Sequence, residues 1–177
     1  MARNKRLQDR EEKQKEIISA ARTLFLNEGY DATSMSRIAN IAGVAPNTIY
    51  WYFKDKDELL ITILNAELTE RFSGYIELQE KNIVERLLWV IDQFKLVKQL
   101  VTTVHARLHV SSEINIWHER FHILVENLLR QELQQLGVEE RRIEAKVKVA
   151  IFTVEGLLAH ELMDEEKHAI CSELFQL

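Results

Sequence analysis

A single proline and only five glycines in 177 residues constrain this chain more than any other feature. Proline and glycine are the residues that interrupt helices, so their scarcity leaves room for long unbroken ones. Apolar residues make up 46% of the chain, which supports an ordinary globular interior. No segment alternates with the two-residue period of a half-buried strand, and no internal repeat or low-complexity tract is present. The expected fold class is all-α.

Helical spacing predicts a first helix over about residues 10–27, with Ile17, Ala20, Ala21, Leu24 and Phe25 on one stripe and Gly29 as its stop. Thr33 or Ser34 can cap a second helix, from which Ile38, Ala39 and Ile41 are expected to turn inward. Gly43 and Val44 make a turn, and Pro46 suits the first position of a third helix, where its missing N–H is no loss. Ile49 and Phe53 then face the core, leaving Pro46, Asn47, Thr48, Tyr50 and Trp51 outside. A short helix that presents amide, hydroxyl and aromatic groups together suits a DNA groove better than a core. Asp55 can cap a fourth helix, with Gly74 as its kink or its end. The apolar period from Ile83 to Leu108 fits one long helix or two with a break near Lys98. Further helices are expected up to Gly137, from Glu139, and from Asp164 to Phe175.

Charge is unevenly placed. Residues 1–56 hold ten Lys or Arg against seven Asp or Glu, a net of +3, while residues 57–177 carry −8, giving −5 for the whole chain. A basic front on an acidic body suggests that only the front meets phosphate. The lone Cys171 cannot form an internal disulfide, and no apolar run reaches the roughly 18–20 residues that cross a bilayer. The basic N-terminus leads into charged residues and not into the apolar stretch of a secretory signal. A cytoplasmic protein without membrane contact is expected.

The ordered series Ile17-Ile18-x-Ala20-Ala21-x-x-Leu24-Phe25, Gly29-Tyr30, Ala32-Thr33-Ser34, Ile38-Ala39, Ala42-Gly43-Val44 and Thr48-Ile49-Tyr50-x-Tyr52-Phe53-x-x-Lys56-x-x-Leu59-Leu60 resembles the TetR family of transcriptional regulators. The resemblance covers about residues 11–71. It implies a three-helix helix-turn-helix DNA-binding domain over residues 1–57, followed by a helical effector-binding and dimerisation domain over residues 58–177. It further implies a homodimer on a palindromic double-stranded operator, with recognition helices in major grooves about 34–36 Å apart. A small-molecule effector would release the DNA, most simply making the protein a repressor, although an activator reads DNA with the same face. No catalysis, cofactor or resident metal is implied. Two positions depart from the family pattern. Ala45 replaces a capping Ser or Thr, a loss of about 1 kcal/mol, and Asn47 replaces a common glycine and can pair with adenine.

For phosphate we expect Lys56, Tyr52 and Thr33, with Lys54 as an addition, because ammonium and hydroxyl groups donate to phosphate oxygens. For base edges we expect Pro46, Asn47, Tyr50 and Trp51, with Thr48 beside them and Ser34 and Ser36 from the second helix. Arg3, Lys5, Arg6 and Arg10 are candidates for a minor-groove arm, against the alternative of a solvated tail.

In the C-terminal part, Phe94, His105, His109, Trp117, Phe121 and His122 are the candidate effector pocket, for an amphipathic or aromatic compound. The dimer surface is expected on the last two helices, at Val147, Ile151, Val154, Leu158, Leu162, Ile170 and Leu174. The run His118-Glu119-Arg120-Phe121-His122 matches the H-E-x-x-H pattern of zinc proteases. That leaves two readings of other classes: a metal-dependent hydrolase or metal-responsive protein using His118, Glu119 and His122, and a helical interaction protein without DNA function. A zincin also needs a third ligand and an edge strand, and the sequence shows no strand; a milder reading has His105 and His109 join His118 and His122 in a metal or effector site.

Overall fold

The computed structural model describes residues 2–175, with side chains from Asp9 onward. Among these residues it contains α-helices, one 3₁₀ turn and no strand, so the all-α expectation is met. The helices are α1 (Ala2–Asn27), α2 (Met35–Ile41), α3 (Lys56–Ile76), α4 (Ile83–Leu96), α5 (Lys98–Arg107), α6 (Ser112–Gln135), α7 (Glu140–Ala159) and α8 (Asp164–Leu174), and the 3₁₀ turn is Ile49–Trp51. None of the described helices is long and apolar enough to cross a membrane. The chain packs as two compact units, one formed by the residues up to Thr69 with Gln99–Ile116, the other by Glu70–Lys98 and the residues from Trp117 onward.

In the first unit, α1 begins at Ala2, earlier than its apolar stripe predicts. The side chains of Arg3, Lys5 and Arg6, proposed for a minor-groove arm, lie outside the described residues. Gly29 ends α1 with φ +90°, a left-handed conformation that a side chain would strain. Ser34, not Thr33, caps α2, its hydroxyl accepting from the Arg37 N–H at 3.2 Å. Ile38 and Ala39 are fully buried, but Ile41 stands outside at 56% exposure, contrary to the inward position expected for it. It is the last residue of a helix that ends in the Gly43 turn at φ +66°. Asp55 caps α3 through the Glu58 N–H, 2.9 Å away. The core gathers Ile17, Phe25, Ile38, Ile49 and Leu60 from the first segment with Leu100, Val104 and Ile114 from the second.

The period between residues 83 and 108 resolves into two helices, broken at Val97 (φ −118°, ψ 23°), with α4 in the second unit and α5, from Gln99 on, in the first. Leu133, Val138, Ile143, Val147 and Ile151 form one apolar cluster, and Leu87, Ile91, Leu157 and Cys171 another. A polar tie joins three helices: Arg86 on α4 grips both oxygens of Glu132 on α6 at 2.7 and 2.6 Å, and the Tyr75 hydroxyl on α3 donates to the same carboxylate at 3.1 Å. Burial, with Glu132 beside it, pushes the Tyr75 phenol up to about 12. Gly74 neither kinks nor ends α3, which runs on to Ile76. Its role is clearance, since a Cβ there would stand 2.9 Å from Cζ2 of Trp89. Gly74→Ala should therefore destabilise the protein by about 1–3 kcal/mol through overpacking, outweighing alanine's better helix propensity. Urea unfolding monitored by Trp fluorescence measures it, and unchanged or raised stability would disprove the clearance role.

Candidate nucleic-acid interface

The segment after Gly43 was expected to be an α-helix beginning at Pro46, and it is tighter than that. Residues 46–48 form a turn and Ile49–Trp51 a 3₁₀ helix. Its amides reach back three residues: Thr48 N–H to the Ala45 carbonyl at 2.8 Å, Trp51 to Thr48 at 3.0 Å and Tyr52 to Ile49 at 3.0 Å. The run Thr48-Ile49-Tyr50-Trp51-Tyr52-Phe53 is β-branched and aromatic, residue types that lose rotamer freedom in an α-helix. Short 3₁₀ pieces are a common outcome. Ile49 and Phe53 are buried as expected and anchor the turn.

The residues expected to read bases are ones the turn shows to solvent. Pro46 and Asn47 are exposed, Tyr50 is 52% exposed and Trp51 78%. A tryptophan that open contributes almost nothing to this fold. Thr48 and Tyr52 are half-buried, and the Arg10 guanidinium lies over the Tyr52 ring at 6.0 Å. Asp9, Arg10, Lys13, Trp51 and Tyr52 line an open groove beside the turn. Sequence reasoning considered Arg10 only as part of an arm and missed Lys13; their helical spacing on α1 is a signal, but nothing local says which face meets the turn. Ser36 is exposed on α2, and so is Ser34, whose oxygen already serves the cap.

Thr33 requires correction. It is 1% exposed, and its hydroxyl donates to the Gly29 carbonyl at 2.8 Å, so it is no phosphate donor in this structure. The Lys56 ammonium donates to the carbonyls of Tyr30 and Thr33 at 2.7 and 2.9 Å. Burial holds this amine below its ordinary range. Lys54 is exposed and paired with Glu113. Arg37, which sequence reasoning passed over, is exposed on α2 and paired with Glu28 at 2.6 Å.

Behind the surface lies a compact polar knot. Two cations lie against the Tyr30 ring, the Lys56 ammonium 4.0 Å from its centre and the Arg107 guanidinium 4.7 Å from it. The Tyr30 hydroxyl donates to Asp57, which also accepts from Arg107 at 2.8 Å. Burial and the Asp57 carboxylate raise the Tyr30 phenol. Burial pushes Asp57 up, but hydrogen bonds from Arg107, Tyr30 and Ser111 outweigh it and leave the carboxyl below its usual value.

Residues 17–63, which span the α1 stripe, the capped α2, the exposed turn and the start of α3, match the bacterial regulatory proteins of the tetR family. The N-terminal region is a TetR-family DNA-binding region. It is 39% identical over 71 residues to the fatty acid metabolism regulator protein of Bacillus subtilis (strain 168), covering 40% of this chain and 34% of that one. To the HTH-type transcriptional regulator AcrR of Shigella flexneri it is 42% identical over 79 residues, 45% of this chain and 35% of that one. The matched stretch thus spans about a third of either relative. A TetR transcription regulator from Haloarcula marismortui ATCC 43049 shares the fold with a TM-score of 0.74 over 93% of this chain and 96% of that one, at 16% identity.

Outside the TetR module, the expected pocket residues fall into two sets. Phe94, Trp117 and Phe121 are together, Trp117 stacked on Phe121 at 5.5 Å and Phe94 edge-on to it at 5.9 Å, with His122 against Phe121 at 5.7 Å. His105 and His109 belong to the other unit, and α5 ends at Arg107, so they are not a pair on one helix. Of the residues expected at a dimer surface, Val147 and Ile151 are buried inside the chain's own core and cannot face a partner. Val154, Leu158, Leu162 and Leu174 pack partly on the second cluster, while Ile170 is 39% exposed.

The knot makes a pH-dependent prediction. Arg107→Met should cost about 1–3 kcal/mol at pH 7, because Asp57 loses a charged donor. The folded Asp57 carboxyl is more acidic than the unfolded one, so its contribution is complete above the unfolded value of about 4 and fades as pH falls through the folded one. The gap between wild type and variant, measured by urea unfolding, should close towards pH 3. A gap independent of pH would contradict this.

Proposed function

We propose that this TetR-family protein binds a palindromic double-stranded DNA operator as a homodimer and acts as a repressor released by a small-molecule effector. The observation that carries the reading is the exposed aromatic and amide surface of the turn at Pro46, Asn47, Tyr50 and Trp51, set on buried Ile49 and Phe53. Those side chains meet base edges, an aromatic ring against a thymine methyl and the Asn47 amide against adenine. Thr48, Tyr52, Ser34, Ser36, Lys54 and Lys56 flank them and approach the sugar-phosphate backbone, joined by Arg10, Lys13 and Arg37. Lys54 and Arg37 are held by Glu113 and Glu28 in exposed pairs, which solvent screens strongly. A phosphate can displace such partners readily. The N-terminal residues 1–57 carry the DNA function, and residues 58–177 carry effector and partner.

For the dimer, the exposed apolar side chains of the last two helices offer a better surface than the buried set. Val149 and Phe152 on α7 are 52% and 66% exposed, and Ile170 on α8 joins them. Gly156, one turn beyond Phe152, has open space at its Cβ position, which suits close approach of a second helix. The effector is expected against the aromatic group Phe94, Trp117 and Phe121. The protein works in the cytoplasm, by binding and not by catalysis.

Selection of bound sequences from a random duplex library tests the reading. Wild type should enrich two inverted half-sites with centres about 34–36 Å apart, one helical turn. Tyr50→Ala should weaken binding by about 1–3 kcal/mol and relax the preference at one position of each half-site. No enrichment even at low salt would overturn the proposal.

A further inference from the structure

On α6, His118 and His122 lie one helical turn apart and turn their rings towards each other, with centres 4.4 Å apart and Nε2 atoms 3.1 Å apart. Two imidazole nitrogens sharing one zinc ion at about 2.0–2.1 Å in tetrahedral geometry stand about 3.3–3.4 Å apart, so only a slight opening separates this pair from a chelate. Phe121, already stacked on Trp117, packs edge-on against the His122 ring at 5.7 Å and fixes its orientation. The rings are half-buried, which keeps the nitrogens within reach of solvent.

We propose that His118 and His122 form a two-point binding site for a borderline divalent transition-metal cation, of the class of nickel, copper(II) or zinc. Imidazole suits these ions, whereas magnesium and calcium prefer oxygen ligands. The gap between the two Nε2 atoms holds at most one shared proton. When the ion enters, that proton moves to Nδ1 of its own ring, and both Nε2 lone pairs face the metal. Among the described residues no group of three or more His, Cys, Asp or Glu side chains could hold a metal. The remaining coordination positions therefore belong to water or to a small ligand carried with the ion, so this is a capture site and not the closed cage of a structural metal.

Calorimetric titration of tag-free, chelator-stripped protein with nickel(II) is the test. Wild type should take up one equivalent per chain, give no heat with magnesium, and melt at a higher temperature when nickel is present. His118→Gln/His122→Gln should lose affinity at least about tenfold, since even an outer-shell partner of a ligand is worth about 10–100-fold. The single variant His122→Gln should show the same loss, and circular dichroism at 222 nm confirms that each variant is folded. His105→Gln/His109→Gln, which alters the other i,i+4 histidines, should bind as wild type does. Absence of binding by wild type at millimolar nickel would overturn the proposal, and so would unchanged affinity in the folded 118/122 variants.

Discussion

The Tyr30 ring, with two cations against it, is the contact on which the N-terminal unit depends. Tyr30 follows the glycine that ends α1, Lys56 and Asp57 open α3, and Arg107 closes α5. These segments are far apart in the chain, and the ring, its hydroxyl and its backbone carbonyl hold them together. A lysine fixed this way has lost most of its rotamer freedom before any phosphate arrives. Were it to meet DNA as proposed, ordering it would cost little of the side-chain entropy, about 1.5–2 kcal/mol, that a free surface lysine gives up.

A division of labour follows within a few residues. Ile49 and Phe53 hold the exposed turn from below, which leaves Tyr50 and Trp51 largely free of packing duty. In the proposed reading, sequence could change at the outer positions, and with it the DNA text that is read, without disturbing the fold.

Much of this was legible in the sequence because the signals are local. The helix stops at Gly29, Gly43 and Gly137 follow from their need for positive φ, and all three have it. The cap at Asp55 and the inward pair Ile49 and Phe53 follow from spacing. What failed depends on packing. The residues Val147 and Ile151 share a stripe that suits a partner helix, but the chain's own Leu133, Val138 and Ile143 cover them. A stripe says that a face is buried, not by what. Thr33 carries a hydroxyl suited to phosphate, yet Gly29 takes it. Gly74 looked like a helix breaker, and only the position of Trp89 reveals why a glycine stands there. Arg107 could not have been assigned at all, since its partners are fifty or more residues away.

In the proposed reading, the carboxylates of Glu28 and Glu113 stand where DNA would lie and already hold Arg37 and Lys54. Were those cations to meet phosphate, the anions they surrender would stay tethered to the protein and would not diffuse into bulk. Counterion release from DNA would proceed as usual, but two of the protein's cations would change partners within a fixed population of charge. The freed glutamates would then stand beside a polyanion and oppose non-specific contact.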